Sequence, residues 1–156
     1  MVEWVRLAVP AAIVAAIGSP SYAIQYLTVE QSRKLSFPSA TDFVPIDAQA
    51  WKVASDGKTV GRYIVDHVIG KHLYIDYAVT LDAGGRVQRV DILQYREAYG
   101  GEVRDRSWLN QFVGKSSAST LQVGVDIRNI SGATLSCHHL TEGIKRIVNR
   151  YGKDGR

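Results

Sequence analysis

Residues Leu73–Tyr95 read LYIDYAVTLDAGGRVQRVDILQY. Leu73, Ile75, Tyr77 and Val79 alternate with Tyr74, Asp76, Ala78 and Thr80, the two-residue period of a half-buried strand. Leu81-Asp82-Ala83-Gly84-Gly85 is a hairpin connection, and Val87–Tyr95 returns as a second strand. An antiparallel hairpin is therefore expected at the centre of the fold. Upstream, Val60–Val68 is rich in β-formers and adds a strand, introduced by the turn signal Ser55-Asp56-Gly57. Residues 39–57 as a whole read as polar and irregular. Thr28-Val29-Glu30-Gln31 has the form of a capping box and starts a short helix to about Leu35, stopped near Phe37-Pro38.

Downstream, Gly100-Gly101 marks a loop, and Asp105 is placed to cap a short helix with Trp108 and Phe112 one turn apart. Leu121, Val123, Val125 and Ile127 alternate with polar residues and predict a further strand. A last helix is expected over Ala133–Tyr151, its apolar face made by Leu140, Ile144, Ile147, Val148 and Tyr151. The expected class is α+β: a mostly antiparallel sheet with packed helices, in one domain spanning 24–156.

Residues 1–23 read as a secretory signal peptide. Arg6 lies in the first segment, an apolar run follows from Leu7 to Gly18, and Ser21 and Ala23 are the small residues of a cleavage site. The run is shorter than the ~20 residues a membrane span needs. A periplasmic location, in association with a membrane or free of it, is the expectation.

The chain has 156 residues, 46% hydrophobic and 22% charged, which excludes disordered and low-complexity classes. Its formal charge of +4 is short of a nucleic-acid binder's signature. A lone cysteine, Cys137, excludes an internal disulfide and a multi-cysteine metal or cluster site. The neighbouring His138 and His139 diverge by ~100° on a helix and do not serve one ion, so no metal is expected.

The informative stretch is Ser131-Gly132-Ala133-Thr134-Leu135-Ser136, expected where a strand gives way to the last helix. Small residues there admit a ligand close to the backbone, and the free amides of a helix start form an anion site. The plainer alternative is that Ser131 simply caps the helix.

At this point the chain resembles the FMN-binding domains of the G subunit of the Rnf electron-transport complex, the C subunit of the sodium-translocating NADH:quinone reductase, and many small exported proteins. The S-G-A-T run resembles their flavin attachment motif. The resemblance implies that Thr134 carries FMN through a phosphoester, with Ser131, Gly132 and Ala133 completing the motif. Glu97, Gly100 and Gly101, followed by Trp108, Phe112 and Gly114-Lys115, resemble the loop that lies against the flavin in that family. The likeness covers roughly residues 60–150, with 28–45 similar to the helical lead-in of the small exported members. Arg128 stands where the family often has an aspartate, and the nearest aspartate is Asp126. Ala98-Tyr99 replaces a frequent Thr-Pro.

The resemblance implies an electron carrier working between a membrane redox protein and a periplasmic acceptor, matured by a flavin transferase. A cation beside the flavin ring would favour the reduced, negatively charged cofactor. Arg96, Arg104, Arg128 and Lys115 are the candidates, and Tyr95, Tyr99 and Trp108 are candidates to stack on it. The alternative is a non-redox periplasmic module that holds FMN or another anion reversibly.

Overall fold

The computed structural model describes residues 23–153. The expected signal peptide lies outside the described residues, apart from Ala23. Six strands form one sheet: β1 (Ile24–Gln25), β2 (Asp42–Asp47), β3 (Ala50–Ser55), β4 (Lys58–Ile69), β5 (Tyr74–Asp82) and β6 (Val87–Tyr95). Their order is β1-β6-β5-β4-β3-β2, every pair antiparallel. Strands β2 to β6 are a run of consecutive hairpins, and β1 closes the far edge by pairing Ile24 with Tyr95. The fold is the expected α+β single domain.

Helix α1 (Val29–Ser36) begins with the predicted capping box. Gln31 N donates to Thr28 Oγ1 at 3.1 Å, and Thr28 N donates to Gln31 Oε1 at 2.8 Å. It covers one face of the sheet, where Phe37, Val53, Tyr63, Ala78 and Leu93 form a small core. Helix α3 (Thr134–Tyr151) covers the other face, where Leu140, Ile144, Ile147 and Val148 meet Ile75, Tyr77, Val79 and Val90 in the main core. With a helix on each side, β5 is buried on both faces. The half-buried expectation for it is therefore corrected: Ala78 and Thr80 lie under α1, and Thr80 Oγ1 donates to Ser36 Oγ at 2.8 Å.

Two expected segments take a different secondary structure. Residues 39–57 are not irregular but hold the β2–β3 hairpin. Its signal is weak because β2 is an edge strand interrupted by Pro45, a residue tolerated only where no ladder donor is needed. Tertiary contacts hold it instead. The Arg33 guanidinium of α1 lies 4.0 Å from the Trp51 ring centroid and 4.8 Å from that of Phe43. The second is the strand expected over Leu121–Arg128. That segment is a turn-rich loop with one isolated bridge, Val123–Ile127. Asp126 organises it by accepting from Leu121 N at 3.1 Å, Gln122 N at 2.8 Å and Lys115 Nζ at 2.9 Å. Burial alone would raise the Asp126 carboxyl. The two amides and the ammonium outweigh that and lower it to about 2. Leu121 and Ile127 are buried as the alternation required, but as loop anchors rather than strand residues.

The short helix after Gly101 is a 3₁₀ turn (Gly101–Arg104), one α turn, α2 (Arg106–Leu109), and a second 3₁₀ turn (Asn110–Phe112). Asp105 precedes α2 without a side-chain cap; its carbonyl accepts from Trp108 N and Leu109 N instead.

Gly143 sets how closely α3 approaches the sheet. A Cβ there would lie 2.3 Å from Tyr77 Oη and 2.9 Å from Val68 Cγ1. Tyr77 is fully buried and donates to Asp66 Oδ2 at 2.9 Å, so it has nowhere to retreat. Gly143→Ala gains about 1 kcal/mol of helix propensity but incurs about 1–3 kcal/mol of overpacking and strains that hydrogen bond. The expected result is a net loss of stability, read as a lower denaturation midpoint; an unchanged or raised midpoint would contradict this packing.

Candidate functional site

The cleft-side end of the sheet is defined by register. Val68 pairs with Ile75, Ile75 with Tyr95, and Tyr95 with Ile24, so one row crosses β4, β5, β6 and β1, and the Ile69–Tyr74 pair lies one step beyond it. The β4–β5 turn, the loop after β6 and the start of α3 meet beyond this row. They enclose a cleft of about 740 Å³. Small-molecule ligands occupy clefts of roughly 300–1,000 Å³, so this one is of ligand-binding size.

One wall is the predicted motif. Helix α3 starts at Thr134, its N-cap position is Ala133, and no side chain caps it. The Ser131 cap is thus corrected: Ser131 lies two residues outside the N-cap. Gly132 has φ +86°, a conformation that favours glycine, and turns the chain into the helix. An uncapped start of an 18-residue helix presents unsatisfied amides with a partial positive charge. Thr134 is exposed on this wall, and Asn129 Nδ2 donates to its Oγ1 at 3.2 Å. The hydroxyl is thereby steadied yet remains accessible. What precedes this turn is the Asp126 loop rather than the expected strand.

The opposite wall is the β4–β5 turn, and Glu97 holds it. One carboxylate oxygen, Oε1, accepts from Lys71 N, from His72 N at 2.6 Å and from Leu73 N at 3.0 Å. A Cβ at Gly70 would sit 2.6 Å from that oxygen, so glycine admits the carboxylate to the turn. From the other side, His139 Nδ1 lies 2.6 Å from Ile69 O and 3.0 Å from Gly70 O, and must donate because carbonyls only accept. Burial would raise the Glu97 carboxyl, but the three amides outweigh it and hold the group below its ordinary 4.5. A carboxylate with a lowered folded-state pKa contributes order above its unfolded value and loses it as pH falls through the folded one. The amide resonances of Lys71, His72 and Leu73 are therefore expected to shift together below pH 4.5, and Glu97→Gln to abolish that titration. Independent titration of the three amides would contradict the shared acceptor.

The two halves of the sequence motif converge. Gly100, at φ +81°, backs onto the α3 start: a Cβ there would stand 3.4 Å from Ser136 Oγ and 3.6 Å from Ala133 Cβ. Gly132, Ala133, Thr134, Glu97 and Gly100 all line the cleft, whereas Ser131 and Gly101 flank it. Arg128 does not line it. Its N–H and Nε donate to Gln111 Oε1, and its carbonyl accepts from Trp108 Nε1 at 2.7 Å.

Of the other cations, Arg96 reaches the cleft, held by Asp76 at 2.6 Å and Gln94 at 2.7 Å. Lys115 is paired with Asp126, and Arg104 lies over the Tyr26 ring. Among the stacking candidates, Tyr99 is 84% exposed on the cleft. Trp108 packs edge-on against Phe112 in the core, and Tyr95 is buried with its hydroxyl donating to Tyr99 O. Sequence reasoning missed Lys71, His72 and Leu73 as cleft residues; they line it but carry no motif of their own.

Cys137 is fully buried and its thiol is pushed up by burial, so it stays protonated. Among the described residues, no three His, Cys, Asp or Glu side chains converge as metal ligands, and no helix is long and apolar enough to cross a membrane.

A family model described as "FMN-binding domain" matches residues 70–149, just over half of the chain. The match begins at the glycine that admits Glu97 and takes in both walls of the cleft. No curated protein matches the chain.

Proposed function

Because the chain belongs to the FMN-binding domain family, we propose that it is an exported electron carrier with FMN joined to Thr134 by a phosphoester. The observation that carries this reading is the exposed Thr134 hydroxyl at the uncapped start of α3, on the wall of a cleft of ligand-binding size. The helix amides favour a phosphate beside that hydroxyl. In forming the ester, Thr134 Oγ1 becomes bonded to the flavin phosphate and loses its proton. The bond from that phosphate to a leaving nucleotide breaks, which calls for a transferase with an activated flavin donor.

When bound, the flavin supplies reversible one- and two-electron chemistry. The chain's own residues supply position and access. Glu97 and His139 fix the turn that faces Thr134. Leu73, Tyr99 and Leu135 offer apolar surface, and Arg96 and Lys71 bring positive charge to the same cleft. Residues 1–23 direct the chain out of the cytoplasm in this reading, and a membrane redox protein and a periplasmic acceptor are its electron partners. An ester bond keeps the cofactor from dilution outside the cell.

Reversible binding is the second reading, and Arg128 in the position of the family's frequent aspartate favours it. Intact mass of the exported protein, produced with a flavin transferase, separates the two. An FMN-sized increment that survives denaturation is expected; flavin released by denaturation from protein of unmodified mass would replace the first reading by the second.

A further inference from the structure

Thr134 Oγ1, the oxygen of the proposed ester, has a hydrogen-bond donor aimed at it from five residues upstream. Asn129 Nδ2 lies 3.2 Å away. Both residues are exposed, so the pair is open to a second protein.

The backbone around Asn129 is fixed on both sides. Before it, Arg128 N donates to Gln111 Oε1 at 2.8 Å, and Arg128 O accepts from Trp108 Nε1 at 2.7 Å. Trp108 is 3% exposed and packs edge-on against Phe112, so this anchor is part of the core. After it, Ala133 N donates to Ile130 O at 3.0 Å, and Gly132 turns the chain into α3. A carboxamide held between these anchors crosses the turn to the first residue of the helix. Arg128, where the family often has an aspartate, thus serves through its backbone. The next residue carries the side chain that meets the hydroxyl.

A hydroxyl has one hydrogen to give and two lone pairs to accept with. Asn129 takes a lone pair of Oγ1 and leaves the hydrogen free for removal by a base. As that proton leaves, negative charge grows on Oγ1. A hydrogen bond to an ionised acceptor is about twice as strong as one to a neutral acceptor. The carboxamide therefore stabilises the attacking oxygen more than the resting hydroxyl, which is the condition for acceleration.

We infer that Asn129 is the side-chain donor that orients and activates Thr134 for attachment of the flavin phosphate. This rests on the covalent reading. The bond from Oγ1 to phosphorus forms, the bond from phosphorus to the leaving nucleotide breaks, and the Oγ1 proton passes to a base of the transferase. Asn129 gives up no proton, and nothing is oxidised or reduced.

The test follows the FMN-sized increment by intact mass. Flavin-free protein, at several concentrations, is given a flavin transferase and a flavin dinucleotide as donor. Wild type, Asn129→Ala and Asn129→Asp are compared. Asn129→Ala is expected to lower kcat for attachment about tenfold, with KM for the domain and the thermal midpoint little changed. An enclosed oxyanion donor is worth roughly 100-fold or more, and this one is in water. Asn129→Asp keeps an acceptor in the same place but has no hydrogen to donate, and should be at least as slow.

A wild-type rate in Asn129→Ala overturns the inference. So does a raised KM at unchanged kcat, which would make Asn129 a recognition contact of the transferase. A wild-type rate in Asn129→Asp also overturns it, because the carboxamide oxygen would then be the working atom. Should Asn129→Ala fail to fold, the near-isosteric Asn129→Asp decides alone. Wild-type protein that gains no increment would overturn the covalent reading and this inference with it, whereas the other three results overturn the inference alone.

Discussion

Thr134→Ala is expected to abolish the covalent FMN increment completely while leaving the fold intact. The two halves of that statement have separate physical grounds. Thr134 is exposed at the first position of α3, its side chain makes no helix cap, and its recorded partner is Asn129 at 3.2 Å. Exposed substitutions of this kind change stability by roughly 0.5 kcal/mol or less. The ester, by contrast, needs an oxygen at this position. Thr134→Val keeps the shape and removes only the hydroxyl, and should lose the increment equally. Both variants retain the uncapped amides, so weak, reversible flavin binding should survive. Intact mass and flavin fluorescence after denaturation measure the first outcome, and the thermal midpoint measures the second. Denaturation-resistant flavin in Thr134→Ala would place the attachment at another residue.

Asp91→Ala should cause the largest loss of stability of any single replacement discussed, about 3 kcal/mol. Its carboxylate is 1% exposed and is shared by three elements. Ser32 of α1 donates to it at 2.8 Å, Arg89 of β6 donates to both oxygens, and Arg106 of α2 donates at 2.7 Å. Removing one partner of a buried ion pair typically costs about 3–5 kcal/mol, mostly from stranding the other. The lower end applies because Arg89 and Arg106 are partly exposed and can turn to water. Burial pushes the Asp91 carboxyl up, but its three donors outweigh this and lower it below the ordinary 3.8. Its contribution is thus complete above pH 3.8 and is lost as pH falls through the lower folded value. Denaturation midpoints should show a stability gap between wild type and Asp91→Ala that narrows in strong acid. A gap constant down to pH 2 would show that the charge is not what matters.

The central hairpin, the capping box at Thr28 and the last helix were all legible because each rests on local chemistry. A two-residue alternation, a side chain three residues from its amide and a helical apolar stripe need no distant partner to be recognised. The β2–β3 hairpin was not, because its strands are held by Arg33 from another element. The stretch 121–128 misled because alternation reports which residues are buried, not which backbone buries them. Leu121 and Ile127 point inward from a loop that Asp126 and Lys115 stabilise.

The same division runs through the cleft. The sequence by itself determined the wall at Ser131–Thr134, since small residues and a hydroxyl before a helix are contiguous in the chain. It also determined that Glu97 and Gly100 belong with that wall, through the family they resemble. What Glu97 does was decided only by tertiary structure. Its oxygen bonds amides at positions 71–73, more than twenty residues away, a pairing that exists only once the fold brings the end of β6 against that turn. Arg128 and Arg96 were equal candidates as residue types. The path of the chain put Arg96 on the cleft and turned Arg128 to Gln111, because a charge acts by its distance from the site and distance is set by folding.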